Sequence, residues 1–336
     1  MDIKTRNRLR TRAARTQSLQ PAIEKASATL ANLKTNQPSE IRIRSGFVYR
    51  PDAPPIDPSD RRALAPAHRP PATRIMSPTG SALRLYLLAL YEARLHARPG
   101  QRPSNRHPLI NYDSPGKGWV DLLAPRNELT RGGPTNVAMS SADKKKRRIV
   151  SALGNLAHDE LQLVHLPNRG KPVDTYEHFQ LMHEAGLQAH ADPVPYTVPP
   201  AKEDHFALPA ALFLNGWIHV LEDTELTFLM MLIHWQQKTG MPLVKIPSDI
   251  RVLHYGIGRD AYEAHQLLAR FGLIELDADP DRRSDGTVVN HKGTAWNPLD
   301  QFRIITSGLE NSAVEVTIKG IRQELRSGGT PRLADL

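Results

Sequence analysis

"IPSDIRVLHYGIGRDAYEAHQLLARFGLIEL", residues 246–276, decides how the fold is read. Ser248 stands before a short apolar-periodic run and is expected to cap a helix through about His254. Gly256 supplies the permissive backbone a tight turn needs. Around residues 258–271, Ile257, Ala261, Ala264, Leu268 and Phe271 recur at helical spacing and form one stripe. Arg259, Glu263, Gln266 and Arg270 form the opposite stripe. The small Ala261 and Ala264 allow this second helix to lie close to a neighbour. "GLIELD" then reads as a strand.

Working outward, "EDTELTFLMMLIHWQQKTG" (222–240) opens with acids and ends in Lys-Thr-Gly, the charge order of a capped helix. Its Met and Trp residues fit a core stripe, part of which could form a dimer face. Downstream, a long polar loop leads to "QFRII", a return strand. The same order of elements occurs earlier in the chain. "SALRLYLLALYEARLHA" (81–97) carries Leu83, Leu87, Leu90 and Tyr91 at helical spacing. In "SSADKKKRRIVSALGNLAHDELQLVHLPNRGKP" (140–172), Ser140 or Ser141 can cap a helix. Ile149, Val150, Leu153 and Leu156 lie on one side of it, and Lys144, Arg148, Ser151 and Asn155 on another. "LQLVHL" alternates as a half-buried strand does, and "YEHFQLM" reads as its return.

This gives an α+β chain, mainly α. Residues 1–78 are expected to be a disordered basic Pro-rich arm, because "RPDAPPIDPSDRRALAPAHRPPATRIMSP" has no apolar period. Within the arm, "LQPAIEKASATLANL" can form a short helix. Residues 79–189 form one folded segment, 190–204 a Pro-rich linker, 205–310 a second folded segment, and 311–336 a C-terminal helix and tail.

The net charge of +9 is concentrated in the first 80 residues, which hold 15 Lys and Arg against 6 Asp and Glu. Residues 205–310 are net −4. A basic arm is usual in proteins that meet polyanions. Cysteine is absent, which excludes disulfides and Cys metal sites and fits a reducing, cytoplasmic setting. No apolar run is long enough for a membrane span.

The 246–276 stretch, with its following loop and strand, resembles the winged-helix superfamily of helix-turn-helix DNA-binding proteins over residues 206–306. Residues 81–182 resemble it more loosely through "ADKKKRRIVSALGNLAHDELQLVHLPNRG". The resemblance implies that the second helix of each segment enters the major groove, where base edges are readable, and that the hairpin touches backbone. On that basis the upstream segment offers Lys144, Lys145, Lys146, Arg147, Arg148, Ser151 and Asn155, with Arg169 and Lys171 in its hairpin. The downstream segment offers Arg259, Glu263, Gln266 and Arg270, with Arg282, Arg283 and Lys292 in its hairpin. Charge points the same way without any family. Five consecutive cations, Lys144–Arg148, sit at a helix start, where the dipole disfavours them. A helix that tolerates this has an anion to meet.

Other motifs carry less. Asp277, Asp279 and Asp281 alternate like a calcium loop, but Arg282 and Val288 stand where Gly and Glu are required. His178, His183 and His190 lack zinc-protease spacing. "DSPGKGW" lacks the phosphate-loop pattern. The expectation is therefore a non-catalytic, sequence-specific double-stranded DNA-binding protein of the transcriptional-regulator type, without metal or cofactor. A plasmid-type replication initiator with tandem winged helices is the alternative. A non-catalytic adaptor whose basic arm binds RNA or an acidic partner is another. A second copy of the chain is a candidate partner.

Overall fold

The computed structural model describes residues 1–55, 64–78, 80–114, 116–125, 141–171, 174–188, 192–279 and 299–327. The architecture is α+β and mainly helical. In chain order the regular elements are α1 (Ile3–Ala31), β1 (Glu40–Arg44), α2 (Pro71–Arg74), α3 (Ala82–His96), α4 (Trp119–Leu122) and α5 (Ser141–Leu156). Next come β2 (Val164–His165), β3 (Gln180–Leu181), β4 (His205–Pro209), α6 (Ala211–Leu214), α7 (Trp217–Val220) and α8 (Asp223–Thr239). The chain closes with α9 (Ser248–Leu253), α10 (Arg259–Tyr262), α11 (Ala264–Arg270), β5 (Ile274–Asp277), β6 (Gln301–Ile304) and α12 (Ala313–Ser327).

The N-terminal region differs most from expectation. In place of a disordered arm, residues 3–31 form the longest helix. Asp2 caps it, its carboxylate accepting from the Thr5 backbone N–H at 2.7 Å. Leu9, Leu19, Ile23, Ala26 and Leu30 face the core. Arg12 and Thr16 occupy core-facing positions between them, which dilutes the apolar stripe in the sequence. Burial of Arg12 is tolerated because both Glu225 oxygens accept from its guanidinium, at 2.6 and 2.7 Å. Residues 56–63 of the expected arm lie outside the described residues.

Three antiparallel strand pairs follow, β1–β4, β2–β3 and β5–β6. The first joins the supposed arm to the downstream segment, with Ile41 opposite Leu208 and Ile43 opposite Phe206. The expected 190–204 linker also packs. Tyr196 and Val198 are buried, and the Val198 N–H donates to Gln101 O at 3.0 Å. Pro rigidity there serves a fixed crossing rather than a loose tether. One cluster of buried side chains accordingly runs from Leu9 to Ile321, in place of two separate cores.

Within this body the 246–276 stretch is two short helices and a strand. Gly256 adopts φ +67, and a Cβ there would meet Thr73 Oγ1 at 2.7 Å, so the turn requires glycine. Ser248 is the first helical residue of α9, with no capping side-chain bond at Pro247. The expected continuous helix over 258–271 is divided into α10 and α11 at Glu263. β5 pairs with β6, and Val244 adds a bridge to Phe302 through backbone bonds of 2.8 and 2.9 Å. The order α8, Val244 bridge, α9, α10–α11, β5, β6 follows along the chain.

Candidate nucleic-acid interface

α5 is a single amphipathic helix. Ile149, Ala152, Leu153 and Leu156 are buried, against neighbours that include α3 and α4. The opposite side leaves Arg147, Ser151, Gly154, Asn155 and His158 exposed. Arg147, Ser151, Gly154 and Asn155 follow a spacing of four, three and one, so they share one outward side of α5, and His158 lies just beyond its end. Lys144 and Lys146 are half-buried.

The five-cation run does not act as one block. Lys145 turns inward, and its ammonium donates to Val120 O at 3.2 Å. Burial holds that ammonium below the usual lysine range, with Asp121 partly opposing the shift. Arg148 is half-buried, and burial lowers it too. Its Nη1 is enclosed without a hydrogen-bond partner among the described residues. A continuous run of five on a 3.6-residue helix cannot all face one way, so two of the five predicted contacts belong to the helix underside. In the upstream hairpin Arg169 pairs with Asp159 at 2.9 Å, both well exposed. Lys171 donates to Asn168 Oδ1 at 2.9 Å, which steadies the turn itself.

The downstream set is arranged differently. Arg270 is committed to Glu324 of α12 at 2.7 Å, with both side chains nearly buried. Arg259 and Gln266 are half-buried, and Glu263 is exposed. Glu263 and Gln266 open onto a cavity of about 740 Å³ closed on another side by Asp2, Thr5, Arg8 and Leu9 of the N-terminal region. Asp260 and Leu267 share that wall. The face that would enter a groove thus looks toward α1 and is lined with acid. Arg282, Arg283 and Lys292 lie outside the described residues. The sequence signal for this arrangement was available: Asp260 and Glu263, three apart, put two carboxylates on one helix face.

One further polar cluster escaped sequence reading. Glu92 of α3, nearly buried, stands 3.0 Å from His96 Nδ1 and 3.3 Å from His107 Nε2. His107 Nδ1 lies 3.0 Å from Lys117 O. Contact with Glu92 raises both histidines above their ordinary value. The Glu92–His96 spacing of four was the available signal. Among the described residues no His, Cys, Asp or Glu trio is placed to hold a metal ion, and no helix is long and apolar enough to cross a membrane.

Comparison of the chain with protein-family models, with curated proteins and with solved structures found no match.

Proposed function

We propose that this chain is a sequence-specific double-stranded DNA-binding protein of the transcriptional-regulator type, acting without chemistry through α5. The observation that carries the reading is the outward stripe Arg147, Ser151 and Asn155 with His158 at its end, flanked by half-buried Lys144 and Lys146. A guanidinium with hydroxyl and amide groups on one face is the donor and acceptor set that reads major-groove edges. Lys144 and Lys146 can meet phosphates beside it. The helix is followed by the β2–β3 pair, the order that a winged helix uses.

The downstream elements, with Val244 forming an isolated antiparallel bridge to Phe302 beside the β5–β6 pair, support the winged-helix reading more fully in topology and less in charge. A plasmid-type replication initiator is the second reading. It is favoured by two such segments of unlike surface sharing one core, one able to grip DNA while the other meets protein, including a second copy of the chain.

The test is selection of duplexes from a random pool by the full chain, followed by binding across salt concentration. Retention of a defined sequence, with affinity falling steeply as salt rises, supports the proposal. Absence of duplex binding at low salt overturns it and favours the adaptor reading. A single palindrome among selected sites marks a regulator, and an array of repeats marks an initiator.

A further inference from the structure

Away from α5, Pro38, Ser39, Glu40, Arg42, Arg94 and Pro99 line a cavity of about 240 Å³. Arg42 comes from β1 and Arg94 from α3, and both are half-buried. Several other inward-facing arginines are matched by acids: Arg12 by Glu225, Arg44 by Glu184 and Glu203, Arg84 by Asp223, Arg270 by Glu324. The side chains of Arg42 and Arg94 have no ion pair or hydrogen bond among the described residues. Two like charges sharing one small cavity, each partly stripped of water, form an unbalanced arrangement that an anion would balance. The flat fork of a guanidinium matches the oxygens of a phosphate group.

The cavity walls are held in place before any ligand arrives. Gln37 Nε2 donates to Ala31 O and Lys34 O, both at 2.8 Å, and its Oε1 accepts from Tyr91 OH at 2.8 Å. Next to it, Ser39 O accepts from the Ala210 N–H at 2.8 Å. Pro38 and Pro99 stiffen two sides. Lys34 donates to Leu95 O, setting an ammonium at the residue after Arg94. Glu40 is the one carboxylate in the lining, and it works against an anion. The volume lies below the range of drug-sized pockets, which suits a single oxyanion group.

We propose that the Arg42–Arg94 cavity binds a phosphate-class oxyanion, either free or as part of a nucleic-acid backbone. The site stands on its own geometry and does not require α5 to read DNA. Inorganic phosphate is titrated into the full chain at ionic strength matched with chloride, with heat of binding and unfolding midpoint as readouts. Saturable binding and a raised midpoint are expected. Arg42→Ala or Arg94→Ala is expected to weaken binding by about tenfold or more. Glu40→Gln is expected to strengthen it severalfold, a gain that a folding defect cannot imitate. A second arm measures the salt dependence of duplex DNA binding. A slope shallower in Arg94→Ala, by about 0.9 for each phosphate no longer neutralised, assigns the site to the backbone. Phosphate binding with an unchanged slope assigns it to a free anion. Absence of saturable phosphate binding overturns the proposal. So does binding that is equal in wild type, Arg42→Ala and Arg94→Ala.

Discussion

α5 and the α10–α11 pair occupy the same place in two similar successions of elements, yet they offer opposite chemistry. α5 is unbroken over 16 residues and keeps Arg147, Ser151 and Asn155 outward. The α10–α11 pair is divided at Glu263, leaves Asp260 and Glu263 exposed, and has Arg270 tied down by Glu324. The difference comes from neighbours rather than from the helices alone. The start of α1 and the end of α12 stand against the downstream face, and nothing comparable among the described residues covers the α5 stripe. Element order can therefore repeat while the exposed chemistry does not, because whatever packs across a helix decides which of its side chains remain for a partner.

The largest expected effect tests what pins the downstream face. Arg12→Ala removes one partner of a buried ion pair and leaves Glu225 enclosed and uncompensated, a loss of about 3–5 kcal/mol in denaturant unfolding. Replacing Arg12 and Glu225 together by leucine is expected to cost less than Arg12→Ala alone. Equal stability of Arg12→Ala and wild type would remove α1 from the core and with it the basis of the comparison.

A smaller effect concerns pH. His219 of α7 is buried and pushed down to about 3, by burial first and then by Arg84 and Lys145. Burial, followed by Lys238, pushes His234 of α8 down to about 4. Below pH 6.5 the unfolded chain takes up protons at these positions and the folded chain does not. The stability they allow is full above that pH and is lost as pH falls toward about 4 for His234 and about 3 for His219. His96 and His107, raised by Glu92, act in the opposite sense, contributing below 6.5 and losing that contribution as pH rises through their folded values. Neither ring nitrogen of His219 has a hydrogen-bond partner among the described residues. His219→Leu should therefore flatten the acid limb of the unfolding midpoint against pH, and an unchanged limb would count against a buried neutral imidazole at this position.

Smaller still are changes on the downstream cavity wall and in the upstream hairpin. Asp260→Asn and Glu263→Gln should leave duplex affinity within about twofold of wild type, well under 1 kcal/mol. A tenfold change in either would restore the downstream helix as a DNA reader. Arg169→Ala breaks only an exposed pair with Asp159, so the unfolding midpoint should not move.

Much of the helical order was legible because α3, α5 and α8 announce themselves through apolar spacing and charge at their ends. The turn at Gly256 was legible because only glycine suits it. α1 was not, since a helix that buries Arg12 and Thr16 shows no clean stripe until Glu225, 213 residues away, is known to meet it. The β1–β4 pairing was hidden for the same reason, since it joins Arg44 to His205 at one end and Glu40 to Pro209 at the other, far apart in the chain. At the candidate interface, residue types were readable but direction was only partly so. Lys145 and Arg148 sit in a run of five cations, and their inward turn depends on the positions of Val120 and the packed underside of α5.

The claim that α5 faces a nucleic-acid backbone is tested most directly by duplex binding of the full chain across salt, comparing wild type with the paired substitution Lys146→Gln and Arg147→Gln. Weaker binding is expected, with a slope reduced by about 0.9 for each phosphate that the variant no longer neutralises and with the folded state unchanged. The same affinity and the same slope in both proteins would contradict that claim.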